Sequence, residues 1–202
     1  AGLTFFNPRT LDKAAEYARG FSQVASYKDK RGRVRRRKYI KAWDIAGPGE
    51  RSDAVVGVVI NVSRPVWQVR LVVYNRGEDY PVTAQRIERV HHLYPGLTVI
   101  EDNEAGAAVR AFLDLPEDEV EGFRTTRQSK PVVIEELAVA LAYQTIKWKP
   151  EECPELDAEV RGYRIPDDNI SQDCVMALSI GIHHGAQALE TAGGQVLRVI
   201  HV

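Results

Sequence analysis

An α/β fold on a mixed sheet, three antiparallel strands followed by parallel ones and flanked by helices, is what this sequence predicts. Residues 39–45, 54–62 and 66–75 are β-rich runs joined by short, breaker-rich connections, the pattern of an antiparallel meander. Beyond residue 80 the rhythm changes to helical spacing alternating with short apolar runs, the pattern of helix–strand crossovers. The 202 residues suit one domain with a sizeable core, and no internal repeat divides them.

Residues 10–24 (TLDKAAEYARGFSQV) have a helical period, with Leu11, Ala14, Ala15 and Ala18 on one face and Thr10 placed to cap it. A dense basic run follows: Lys28, Lys30, Arg31, Arg33, Arg35, Arg36, Arg37 and Lys38. Gly32 inside it favours a hairpin tip or loop over a helix. In the third β-run, Trp67, Val69, Leu71 and Val73 alternate with Gln68 and Arg70, so one face should meet solvent. Spacing through Ile87, Val90 and Tyr94 predicts a helix over 82–94, ended by Pro95-Gly96. Segment 97–101 is continuously apolar up to its last residue and suits a buried central strand. Asn103 can cap a helix over 104–113, with Ala105, Ala108, Val109 and Phe112 on one face. A weaker strand fits 119–123. Helices follow at 131–146, through Ile134, Leu137, Ala138, Leu141 and Ala142, then at 152–162 and 172–190. From residue 39 the order is β-β-β-α-β-α-β-α-α-α. A helical crossover lets the fourth strand lie parallel to the first, setting their ends side by side at Asp44 and Glu101.

Composition excludes several classes. There is no apolar run of membrane-span length and no signal-peptide stretch at the start, so no membrane partner is expected. Cys153 and Cys174 lack metal-ligand spacing and fit a reducing compartment, Cys174 as a buried helix residue. The formal net charge of −1 hides a polarity, because bases crowd into 28–38 while acids gather in the second half. That run is a candidate for phosphate contact, against the alternative of a solvated charged face.

Three acids carry the chemistry. Asp44 ends the run Tyr39-Ile40-Lys41-Ala42-Trp43 and precedes the breakers Ala46-Gly47-Pro48-Gly49. Glu101 ends Leu97-Thr98-Val99-Ile100, and Asp173 opens Cys174-Val175-Met176-Ala177-Leu178. Carboxylates that converge without compensating bases are what hard divalent cations need. A two-metal phosphodiesterase uses such acids to hold ions about 3.5–4 Å apart, with Asp44 expected to bridge them. Taken singly, each acid has a plainer reading as a turn or cap residue, and Glu101 has rivals in Asp102 and Glu104. Only their joint placement argues for a site. His91-His92 and His183-His184 are set aside as ligands, because neighbours on a helix point in different directions. Trp43, Trp67 and Trp148 read as core or sheet-face residues.

Read together, these segments resemble the nuclease domain of phage terminase large subunits. Residues 39–46, with Ser52-Asp53 preceding a β-run, resemble that family's first catalytic strand. Val99-Ile100-Glu101-Asp102-Asn103-Glu104-Ala105-Gly106 resembles its second acidic motif, including the glycine five residues after the acid. Lys130 opening a long helix, a further helix, and then Asp173 before an apolar Ala-Leu helix resemble the third. The resemblance spans roughly residues 39–185. It implies a ribonuclease H-like fold and a DNA endonuclease using Mg²⁺ or Mn²⁺, two ions in all, to cut concatemeric viral DNA during packaging. Asp44, Glu101 and Asp173 would be catalytic and metal-binding, and Arg33, Arg35, Arg36, Arg37, Lys38 and Lys130 would contact double-stranded DNA.

Also implied are a small terminase subunit and a portal as partners, and action in the cytoplasm of an infected host. Expected boundaries are 1–38 for an N-terminal helix and basic linker, 39–190 for the nuclease, and 191–202 for a tail. Gln172-Asp173 stands where the family often has His-Asp or Asp-Asp, which leaves Asp167, Asp168 or Asp53 as possible further ligands. No GxxxxGK[ST] phosphate loop occurs, so the chain is expected to be the C-terminal part of a packaging motor without its ATPase. A Holliday-junction resolvase or other ribonuclease H-like nuclease, and a non-catalytic module docking DNA or portal, are the competing readings.

Overall fold

The computed structural model describes residues 4–15, 26–28, 34–36, 38–49, 53–167 and 170–191. Among these, helix α1 (Pro8–Ala15) precedes a two-stranded antiparallel pair, β1 (Ser26–Lys28) and β2 (Val34–Arg36). The main sheet has six strands: β3 (Tyr39–Asp44), β4 (Val55–Asn61), β5 (Trp67–Asn75), β6 (Gly96–Glu101), β7 (Val120–Phe123) and β8 (Ile146–Lys147). Their order is β7-β6-β3-β4-β5-β8. β3, β4 and β5 form the antiparallel meander, while β6 joins β3 in parallel and β7 joins β6 in parallel. Helices α2 (Tyr80–Leu93), α3 (Glu104–Arg110), α4 (Ser129–Ala142), α5 (Pro154–Gly162) and α6 (Asp173–Thr191) cover the sheet.

Strand alternation divides the core into two layers. Ile40, Ala42, Val56, Val58, Ile60 and Val99 pack with the apolar stripes of α4, α5 and α6, among them Leu137, Leu141, Leu156, Cys174, Val175 and Leu178. Tyr39, Trp43, Val55, Val59 and Ile100 pack on the opposite side with Ala84, Ile87 and Val90 of α2 and Val109 of α3. Fully burying one such side chain is worth about 1.5–3 kcal/mol. α6 lies close to the sheet, since a Cβ on Gly181 would stand 2.7 Å from Ile60 Cδ1 and 3.3 Å from Ala42 Cβ.

Gly96 serves the sheet rather than only ending α2. Its φ is +137°, and a Cβ there would lie 2.1 Å from the Tyr39 carbonyl oxygen, so β6 can begin beside β3 only with glycine. From β3 onward the order is β-β-β-α-β-α-β-α-β-α-α, the expected strands and helices with β8 added, and the β1–β2 pair precedes them. The helix expected over 131–146 stops at Ala142, and β8 begins at its last expected residue: Gln144 turns the chain at φ +58° and Ile146-Lys147 pair with Trp67-Gln68. The basic run enters the β1–β2 pair. α3 ends at Arg110, so Phe112 lies outside the helix and is 54% exposed. Trp43, Trp67 and Trp148 are buried, as are both cysteines, which are free. Among the described residues no helix is long and apolar enough to cross a membrane.

Candidate metal-binding site

Register and strand parity bring the acids together. Trp43 pairs with Ile100 across the parallel β3–β6 ladder, so the next residues, Asp44 and Glu101, end adjacent strands. Asp44 shares its face with Ile40 and Ala42, and Glu101 shares its face with Val99; both sets belong to the layer that α6 covers. The side chains of Asp44 and Glu101 are close enough to act directly on each other. Asp173 opens α6, and its Oδ2 accepts from the Ala54 backbone N–H at 3.3 Å. Ala54 leads directly into β4, where Val56 pairs with Asp44.

The electrostatics follow from this crowding. Burial, the neighbouring Glu101 side chain, and the charges of Asp173 and Asp53 hold Asp44 well above the usual carboxylate range. Asp173 is pushed up to about 6, by burial first and the charge of Glu159 second, while the Ala54 N–H opposes the rise. Glu159, on α5, caps α6: its carboxylate accepts from Cys174 N at 2.7 Å and from Ser171 Oγ at 2.8 Å. Arg76, exposed just past β5, is the cation whose charge bears on both Asp173 and Asp53; its Nη2 donates to the Tyr74 hydroxyl at 3.1 Å. Glu159 and Arg76 had no sequence signal, because each reaches the site only through folding.

These residues fit a hard divalent ion by donor type: all are carboxylates, they repel one another, and a cation would relieve the repulsion that raises Asp44 and Asp173. Beside Asp173, the Gln172 Oε1 is buried without a hydrogen-bond partner, an acceptor of the kind a cation or water satisfies. Among the described residues no group of three or more His, Cys, Asp or Glu side chains is already arranged as a complete ion cage. The tight unit is thus the Asp44–Glu101 pair, with Asp173 and Asp53 acting on it through charge.

The other candidates are distributed elsewhere. Arg35 and Arg36 lie on β2 opposite Tyr27 and Ser26, and Arg33, Arg37 and Asp168 fall outside the described residues. Lys38 is exposed, its backbone N–H donating to Ser63 Oγ. Lys130 Nζ is paired with Asp167 Oδ2 at 2.6 Å, an oxygen that also accepts from the Tyr163 hydroxyl at 2.9 Å. His91 is buried against Thr98, Lys41 and Glu119, and His183 pairs with Glu136 on α4.

Proton linkage gives a direct test of the crowding. Folded Asp44 and Asp173 retain protons that the unfolded chain releases near 3.8. Stability falls with rising pH wherever the native state binds more protons. The metal-free wild type should therefore lose stability relative to Asp173→Asn as pH climbs from 3.8 to about 6. Thermal melts in EDTA read the difference, and a constant gap between the two proteins would refute it.

No protein-family model matches the chain, and no curated protein matches it. Solved structures do. The fold is ribonuclease H-like, an α/β mixed sheet flanked by helices. Within that class the similar structures are viral large-terminase nucleases. The large terminase nuclease from thermophilic phage G20c with bound magnesium superposes at a TM-score of 0.64 with 17% identity, covering 86% of this chain and 94% of that one. The human cytomegalovirus terminase nuclease domain, manganese-soaked and inhibitor-bound, gives 0.60 with 11% identity over 92% of this chain and 97% of that one. The large terminase nuclease domain from the bacteriophage SPP1 with bound manganese gives 0.55 with 14% identity, over 73% of this chain and 86% of that one.

Proposed function

We propose that this chain is a metal-dependent endonuclease that hydrolyses phosphodiester bonds of double-stranded DNA, as the nuclease part of a viral large terminase that cuts concatemeric genomes during packaging. The observation that carries the reading is the Asp44–Glu101 pair at the ends of adjacent parallel strands, with Asp173 opening the helix beside it. The likeness to terminase nucleases solved with magnesium and manganese supports it. Asp44, Glu101 and Asp173 would hold Mg²⁺ or Mn²⁺. When bound, such ions would activate water and neutralise charge developing on the leaving oxygen. The chain's own part is to fix these carboxylates on rigid strand ends and a helix start.

Residues 39–190 would form the catalytic unit. Arg33, Arg35, Arg36, Arg37 and Lys38 would grip phosphates along the duplex. Replacing Arg35, Arg36 and Arg37 by alanine should lower the salt dependence of binding by about 0.9 in log–log slope for each phosphate no longer neutralised. An unchanged slope, read by fluorescence anisotropy, would leave the run a solvated face. Lys130, paired with Asp167, would turn its remaining N–H donors to a phosphate. The small terminase subunit and the portal would be partners, in the host cytoplasm.

Incubation of supercoiled and linear plasmid with the protein and Mn²⁺ or Mg²⁺ tests the reading. Cleavage that EDTA stops is expected. No cleavage with either ion would favour the docking module, and a strong preference for four-way junctions would favour a resolvase.

A further inference from the structure

Asn103 caps α3, yet its amide makes three hydrogen bonds to three parts of the site. Its Oδ1 accepts from the Gly106 backbone N–H at 2.7 Å. A backbone N–H requires an acceptor, so this contact fixes which end of the amide is oxygen. The Nδ2 is then turned to two oxygens, the Ile45 carbonyl at 3.0 Å and Glu101 Oε2 at 3.2 Å. Its two hydrogens match those two acceptors. Ile45 directly follows Asp44, so one planar side chain ties the end of β3, the carboxylate ending β6 and the start of α3.

Capping does not call for this arrangement. It uses Oδ1 alone, and serine or aspartate would cap about as well. What asparagine adds is a pair of donors spanning the gap between the strand that carries Asp44 and the side chain of Glu101. A carboxylate oriented by an outer donor binds an ion with less rotamer freedom to lose, which is the work that partners around metal ligands do.

We propose that Asn103 is a positioning residue that orients Glu101 and holds it at a set distance from Asp44. This rests on the nuclease reading above and names one determinant of that site. Asn103→Ser and Asn103→Ala separate the two roles of the amide. Serine keeps an oxygen for the Gly106 N–H but is too short to reach Ile45 and Glu101 together, whereas alanine loses everything. The serine variant should melt near wild type, above the alanine variant. Both should bind Mn²⁺ about 10–100-fold more weakly in calorimetric titration without DNA, and kcat/KM for plasmid cleavage should fall in step.

A serine variant that binds Mn²⁺ as wild type does overturns the proposal. So does one whose weaker binding merely tracks a lowered melting temperature, since the amide would then be a cap and nothing more. Wild-type protein that binds no Mn²⁺ would sink the nuclease reading instead, a failure distinguishable from either.

Discussion

Asp44→Asn should abolish metal-dependent plasmid cleavage while leaving the metal-free protein as stable as wild type or more so. Removing a partner around a metal ligand already costs about 10–100-fold in affinity or activity, and removing a ligand should exceed that. Stability moves the other way. Asp44 is held well above the usual carboxylate range by burial, by Glu101, and by the charges of Asp173 and Asp53. A carboxyl with a raised folded pKa carries a penalty that grows as pH rises from its unfolded value through its folded one, so at neutral pH the wild type bears it. Asparagine is nearly isosteric, removes the charge, and can donate to Glu101. Cleavage assays with Mn²⁺ read the first effect, and thermal melts in EDTA at pH 7 the second. Cleavage that survives the substitution would rule out this carboxylate as a ligand. A lowered melting temperature would mean that Asp44 is structural.

Much of this arrangement is legible in residues 39–101, and physical reasons set the limit. The three β-runs are long enough for apolar content and breakers to mark them, and the crossover rule then puts Asp44 beside Glu101. Strand β8 escapes because two residues, Ile146 and Lys147, have no period to detect. The site's supports escape for a different reason. Asn103 announces a helix cap locally, but its bond to Ile45 crosses 58 positions. Glu159 looks like an ordinary acid of α5 until folding brings it to the α6 terminus. Arg76 is one exposed arginine among many until β4–β5 pairing, Val55 opposite Asn75, sets it across from Ala54. Periodicity reports which face of an element is buried, whereas these contacts depend on which elements meet.

Gly106→Ala should cost both fold and activity, although the change adds one methyl to a helix, where alanine is normally preferred by about 0.8–1 kcal/mol. A Cβ at Gly106 would lie 1.9 Å from the Glu101 carbonyl oxygen and 3.1 Å from its carbonyl carbon. Both are backbone atoms of a strand paired on two sides, to β3 and β7, so they cannot swing away as a side-chain tip would. The methyl must push α3 off the end of β6 by about an ångström or more, to approach the about 3.5–4.0 Å at which nonbonded atoms settle. Overpacking of this kind costs about 1–3 kcal/mol, occasionally more. The same displacement strains the Asn103 cap, whose Oδ1 would lie 3.3 Å from the new methyl, and with it the amide's hold on Glu101. A misplacement of about 1 Å can cost on the order of 10²-fold in rate. Gly162→Ala supplies the control: it closes α5, its added Cβ meets nothing within 4 Å, and the variant should melt at or slightly above wild type with full activity. A Gly106→Ala protein that matches this control in melting temperature and cleavage would show that α3 can move without disturbing Glu101, and that the close approach is not what sets the geometry of the site.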